Sequence, residues 1–124
     1  MKNCLIVDDS KVVRSFTKKI LSEIPTLTVR EAEDGEDALA KCKELVPDFI
    51  LLDWNMPKMN GLEFLKEIRK EHPPEKLLII FCTTESEMAK ITEAIQFGAS
   101  EYIMKPFDAD ILKGKLIQLG IISA

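Results

Sequence analysis

The 124 residues, 31% of them charged and 46% hydrophobic, have the balance of one globular domain, which leaves little room for an appended effector. No apolar run approaches the roughly 20 residues needed to cross a bilayer, and the run after "MKN" is too short for a signal-peptide core, so a cytoplasmic chain without membrane attachment is expected. A net charge of −4 argues against nonspecific binding to nucleic acid, and the expected partner is a protein.

The first predicted strand, 3–7, ends in Asp8 and Asp9, and a helix over 10–24 follows with an inner face of Val13, Phe16, Ile20 and Ile24. Its other side carries Lys11, Arg14, Lys18 and Lys19. The second strand, 27–32, precedes a helix over 35–46 that turns Ala38, Leu39, Cys42 and Leu45 or Val46 inward. The third strand, 48–53, runs through "FILL" into Asp53 and a turn rich in Pro, Asn and Gly. After it comes a helix over 61–72 whose stripe, Leu62, Leu65 and Ile68, ends early at the polar Arg69. The fourth strand, 77–82, leads to Thr83 and a helix over 86–97 that Gly98 suits as a stop. The last pair is a short strand, 101–105, ending in Lys105 before Pro106, and a helix over 108–119. Asn60 with Glu63, and Thr84 with Glu87, have capping-box spacing. Cys4, Cys42 and Cys82 are too scattered, and His72 too isolated, for a disulfide framework or a zinc site.

Strands covered by helices on both faces are apolar throughout, whereas edge strands alternate. "CLIV", "FILL" and "LLIIF" are continuous, while "LTVREA" alternates and "YIM" is very short. The pattern predicts an α/β fold: a five-stranded parallel sheet of order 2-1-3-4-5 flanked by five helices. In such a sheet the ligand site lies at the carboxyl ends of the strands, at the switch point between strands one and three. Asp8, Asp9 and Asp53 are then neighbours. Each aspartate taken singly reads as a strand end or helix cap. Crowded together, they need a cation among them or a proton on one, and hard oxygen donors with room for water suit Mg2+. Lys105 and Thr83 on the same rim can serve a phosphoryl group with a point charge and a hydroxyl.

"VDDS" at 7–10, "LLDWNMPKMNG" at 51–61, "CTT" at 82–84 and "EYIMKPF" at 101–107 stand in the order and spacing of the receiver domains of two-component response regulators. The chain resembles this family over nearly its whole length, and most closely the stand-alone, CheY-like type with its flavodoxin-like topology. The resemblance implies a single receiver domain over 1–124, with Asp53 as the phosphoacceptor and Lys105 bridging acid and phosphoryl oxygens. It implies Mg2+ held by Asp9, Asp53 and the backbone carbonyl of Asn55, with Asp8 acting largely through water, and a cis peptide before Pro106. It further implies that Thr83 moves toward the phosphoryl oxygens while Tyr102 turns inward, reshaping the helix 4, strand 5 and helix 5 face for a protein target, in chemotaxis or another relay. Read without the family, Tyr102 is an edge-strand aromatic. The expected donor is a sensor histidine kinase or histidine phosphotransfer domain, docked near the basic end of the first helix unless those charges are simply solvated. A monomer that accepts phosphate, and no turning-over enzyme, is expected.

Trp54, Asn55, Thr84 and Glu85 are positions the family motif leaves free. Thr84 is expected to narrow access and alter the phosphoryl lifetime. A haloacid-dehalogenase-type phosphatase carries a second acid two residues after its nucleophile, where this chain has Asn55. A flavodoxin-like FMN carrier needs an anion nest where this chain has "DDSK". A phosphorylation-independent adaptor is disfavoured because all the chemical residues are present.

Overall fold

The computed structural model describes residues 1–124. Five parallel strands, β1 (Lys2–Val7), β2 (Leu27–Ala32), β3 (Phe49–Leu52), β4 (Leu78–Thr83) and β5 (Glu101–Met104), form one sheet in the order β2-β1-β3-β4-β5. The helices are α1 (Lys11–Ser22), α2 (Gly35–Glu44), α3 (Gly61–Ile68), α4 (Ile91–Gln96) and α5 (Ala109–Gln118), with a 3-10 turn, Glu85–Lys90, before α4. This is the predicted CheY-like α/β topology. No helix is long and apolar enough to cross a membrane.

Alternate side chains of each strand enter opposite layers, as the period of two requires. Leu5, Val7, Ile50, Leu52, Ile79 and Phe81 pack with Ala38, Cys42, Phe64, Leu65, Ile68 and Ala94, which places α2, α3 and α4 on one face. Cys4, Ile6, Phe49, Leu51, Ile80 and Cys82 pack with Ile20, Leu21, Leu112 and Leu116 of α1 and α5 on the other. The four residues of β3 are at most 1% exposed, as expected for the central strand of a doubly covered sheet.

Four helical details depart from the expectation, one being that the third helix, expected over 61–72, stops at Ile68. Phe16 is 50% exposed, because the inward stripe of α1 runs through Thr17, Ile20 and Leu21, and Phe16 lies on the flank against Phe107 at 6.3 Å between ring centroids. The second helix stops at Glu44, so Leu45 and Val46 lie outside it and are exposed. The expected helix over 86–97 is a 3-10 turn followed by a short α-helix. None of the six residues of that turn is buried, so no apolar face holds it in α geometry.

Arg69 ends the α3 stripe for a structural reason. It is half-buried, and its guanidinium donates to the carbonyls of Gly98 (2.9 Å), His72 (3.0 Å) and Leu77 (2.7 Å), tying the end of α3 to the turn after α4. Gly98 takes φ +106°, a left-handed conformation that closes α4 without the Cβ penalty. The Asn60 and Glu63 capping box forms in full, with reciprocal bonds of 2.9 and 3.0 Å.

Candidate functional site

Two strand ends supply the acids, Asp8 and Asp9 after β1 and Asp53 after β3. The backbone of β1 runs to Val7, whose carbonyl accepts from the Asp53 N–H at 3.0 Å, so Asp8 and Asp53 leave adjacent strands at the same level. Asp8 is buried, its Oδ1 accepting from the Ser10 N–H at 2.8 Å, and its main-chain carbonyl is gripped by Arg14 at 2.6 Å. Asp9 is exposed. Carboxylate oxygens of Asp8, Asp9 and Asp53 lie within 4.8 Å of one another.

The fourth group comes from the far strand. Lys105 Nζ lies 3.0 Å from Asp53 Oδ1 and 3.6 Å from Asp8 Oδ2, and its N–H donates to the Thr83 carbonyl at 2.7 Å. The Lys105–Pro106 peptide is cis. Asp53 Oδ1 also accepts from the Trp54 N–H at 2.8 Å, so both protein hydrogen bonds to this carboxylate fall on one oxygen and leave the lone pairs of Oδ2 uncommitted.

Burial pushes the Asp53 carboxyl above its usual range and the charge of Asp8 adds to this, while Lys105 and the Trp54 N–H pull it back without cancelling the effect. Burial alone would lower the Lys105 ammonium, but the hydrogen bond and charge of Asp53, with Asp8 behind it, hold it above its ordinary value. The lysine therefore stays charged. Three acids against one ammonium leave an excess of negative charge, and the donors are hard oxygens on the solvent side of the sheet edge. The cluster thus fits a hard divalent cation.

The turn after Asp53 is built by close approach. Gly61 donates its N–H to the Trp54 carbonyl at 2.8 Å, and a Cβ on Gly61 would lie 2.1 Å from the Asp53 carbonyl oxygen. Thr83 is fully buried, its hydroxyl accepting from the Trp54 indole N–H at 3.0 Å and donating to the Thr84 carbonyl at 3.3 Å. Tyr102, at β5, is half-buried against the α2, α3 and α4 layer with Lys115 Nζ 5.6 Å from its ring centroid.

Asp8, Asp9, Asp53 and Lys105 come together at one sheet edge with Thr83 at the end of the neighbouring β4, whereas Tyr102 lies within β5 against the helical layer, and the side-chain contact of Asn55 is one that the sequence does not announce. Asn55, expected to offer its backbone carbonyl, also donates from its side chain to Glu87 Oε2 at 2.9 Å. The other oxygen of Glu87 accepts from the N–H and hydroxyl of Thr84, each at 3.1 Å. Glu87 was readable only as a cap, because nothing local in the sequence ties it to a residue 32 positions earlier. The basic face of α1 is also less free than its spacing implied: Arg14 pairs with Glu31 at 3.1 Å and Lys18 with the same acid at 3.4 Å.

A sequence profile described as response regulator receiver domain matches residues 4–117. The chain is 41% identical over 112 residues to chemotaxis protein CheY-3 of Vibrio cholerae, covering 90% of this chain and 86% of that one. It is 40% identical over 106 residues to chemotaxis protein CheY of Thermotoga maritima, covering 86% and 87%. Among solved structures, chemotaxis response regulator CheY4 of Vibrio cholerae superposes with a TM-score of 0.87 at 34% identity over 96% of this chain and 98% of that one. The receiver domain of NtrX from Brucella abortus does so with 0.81 at 32% identity over 95% and 94%. With an acidic cluster and a lysine where strands one, three and five end, and relatives of this similarity over most of its length, the chain belongs to the response regulator receiver domain family, a phosphoacceptor of two-component signalling and no turnover enzyme.

Proposed function

We propose that residues 1–124 form a single receiver domain in which Asp53 takes a phosphoryl group from the phosphohistidine of a sensor kinase or histidine phosphotransfer domain. The observation that carries this reading is the Lys105 ammonium 3.0 Å from Asp53 Oδ1 beside a cluster of three acids. The uncommitted Asp53 Oδ2 attacks phosphorus, the P–N bond breaks, and its electron pair stays on the imidazole, which leaves as a neutral base after protonation. Lys105 holds the other carboxylate oxygen and meets the negative charge of the transferred group. Asp9, Asp53 and the Asn55 carbonyl would hold Mg2+, with Asp8 acting through water, and the ion would supply positive charge for the phosphoryl oxygens. Thr83 is the hydroxyl that turns toward those oxygens, and Tyr102 carries the change to the α4, β5 and α5 face, where a downstream protein docks.

The similarity to the chemotaxis proteins of V. cholerae and T. maritima supports a chemotaxis role, and the proposed receiver acts as a cytoplasmic monomer. Docking of the phosphodonor at α1 is supported less by its charges, two of which are spent on Glu31, than by Val12 (79% exposed) and Phe16 beside Phe107 near Lys105. Thr84, tied to Glu87, lines a cleft that Lys105 also lines, and it controls the lifetime of the aspartyl phosphate.

The test is chemical. Incubation with a phosphoramidate and Mg2+ should place on the chain a label that alkali or hydroxylamine removes, as an acyl phosphate demands. A label stable to both reagents, or one that forms equally well in excess chelator, would sink the reading.

A further inference from the structure

Trp54 and Asn55 follow Asp53 directly, and they reach across to the end of β4 and the turn after it. The Trp54 indole N–H donates to the Thr83 hydroxyl at 3.0 Å, with Trp54 3% and Thr83 0% exposed. The Asn55 amide donates to Glu87 Oε2 at 2.9 Å, while Glu87 Oε1 holds the N–H and hydroxyl of Thr84. The 3-10 turn between Glu85 and Lys90 buries none of its residues, and the bonds of Glu87 to Asn55 and Thr84 tie it to the site.

We propose that Trp54 is a positioning residue for the phosphorylation switch: its indole N–H holds the Thr83 hydroxyl in the unphosphorylated position, and phosphorylation must break that bond before Thr83 can reach the phosphoryl group. This rests on the function proposed above. The Thr83 hydroxyl is fully engaged in the structure, accepting from Trp54 and giving its single proton to the Thr84 carbonyl. Donating to a phosphoryl oxygen requires a new direction for that proton, and turning the side chain abandons the indole. Trp54 and Thr83 are buried, so the released N–H gives up a partner it cannot cheaply replace and the change opposes itself until the phosphoryl charge outweighs it. The ring is otherwise fixed by contacts that need no N–H: it stacks on Phe81 at 4.0 Å between centroids and 24° between planes, and Lys90 Nζ lies 5.9 Å from its centroid. Phenylalanine at position 54 therefore keeps an aromatic face for both neighbours and deletes the donor. The exposed Asn55 and Glu87 tie acts in the same direction from the outside, more weakly because water competes for it.

Trp54 is the one tryptophan of the chain, so a nitrogen–proton correlation spectrum contains one indole signal. In the native, unphosphorylated chain that proton should be protected from solvent exchange. Addition of Mg2+ and an acyl phosphate, with the mass gain followed on the same sample, should shift the signal upfield and cut its protection at least about tenfold. In Thr83→Val the acceptor is gone, and the unphosphorylated protein should already give the released signal. In Trp54→Phe the amide signals of β5 around Tyr102 should move, without phosphate, toward the positions they take in the phosphorylated native chain, reflecting an on-to-off ratio raised about three- to tenfold. A phosphoryl mass gain with an unaltered, protected indole signal would overturn the proposal and leave the receiver function standing. Trp54→Phe with its β5 amides at the unphosphorylated native positions would do the same. Absence of any mass gain would defeat the function reading, and this proposal with it.

Discussion

Gly61→Ala is the smallest change that should reach the phosphoacceptor. The added Cβ would lie 2.1 Å from the Asp53 carbonyl oxygen, 3.1 Å from its carbonyl carbon and 3.0 Å from Phe81 Cε1. A relaxed carbon-to-oxygen contact needs about 3.3 Å, so one wall must retreat by roughly 1.2 Å. Neither can do so cheaply. The Asp53 N–H is bonded to Val7 and the Gly61 N–H to Trp54, at 3.0 and 2.8 Å, and α3 is anchored by the fully buried Phe64 and Leu65. Overpacking of this kind costs about 1 to 3 kcal/mol and sometimes more, and with both sides pinned a loss of about 3 kcal/mol is expected, a large share of the roughly 5 to 15 kcal/mol that holds a domain together. Because the strained atom is the acceptor's own carbonyl, a shift of about 1 Å at Asp53 should also slow phosphorylation by roughly 100-fold. Urea unfolding, read together with the rate of phosphorylation by an acyl phosphate, measures both. Gly114→Ala is the internal control: no atom lies within 4 Å of its added Cβ, and in the exposed middle of α5 it should stabilise by about 0.5 to 1 kcal/mol. Gly61→Ala within 1 kcal/mol of native, phosphorylating at the native rate, would show that the turn yields to the added carbon without strain.

Lys105→Met leaves Asp53 and Asp8 without their ammonium at nearly constant volume, so phosphorylation should slow by about 100-fold or more while Mg2+ affinity, measured by calorimetry, holds or rises. An unchanged rate would remove the lysine from the chemistry. Thr84→Ala frees Glu87 Oε1 from the threonine hydroxyl and opens the rim, and the half-life of the aspartyl phosphate should change. Equal dephosphorylation rates in the two proteins would end that idea. Burial pushes the Cys42 thiol up to about 11 and the Cys82 thiol up to about 12 from an ordinary 9.0. The folded chain therefore keeps these protons after the unfolded chain has lost them, so stability is untouched below pH 9 and falls by about 1.4 kcal/mol per unit and per thiol from there toward pH 11. Urea midpoints of native chain and Cys42→Ala should converge with rising pH, and a constant gap would contradict this.

The sheet order was legible because burial leaves a mark in composition. Continuous apolar runs identified β1, β3 and β4 as the covered strands, and the alternation in "LTVREA" and the brevity of "YIM" put β2 and β5 at the edges, where they are. The site followed, since three acids, a threonine and a lysine at strand ends share one rim in that order. What escaped were contacts whose partners are far apart in the chain. The Trp54 and Thr83 bond spans 29 positions and the Asn55 and Glu87 bond 32, and neither side chain advertises its partner. The spacing of Val13, Phe16, Ile20 and Ile24 puts Phe16 inward, whereas the helix turns the small, polar Thr17 into the core at 2% exposure and lets Phe16 lean on Phe107. The 3-10 turn was hidden for a related reason: "ESEMAK" has good helix formers, but no buried face to choose between two helical windings. Arg69 was seen to interrupt an apolar stripe, and its three carbonyl acceptors explain why an arginine is tolerated there.

The central claim is that Asp53 is the nucleophile and that its acidic neighbours hold the metal it needs. The most direct measurement is intact-protein mass after incubation with an acyl phosphate, with and without Mg2+, for the native chain and Asp53→Asn. The native chain should gain one phosphoryl group in a Mg2+-dependent reaction, and the variant should gain none. A gain of equal size in Asp53→Asn, or none in the native chain under conditions that preserve an acyl phosphate, would contradict the claim.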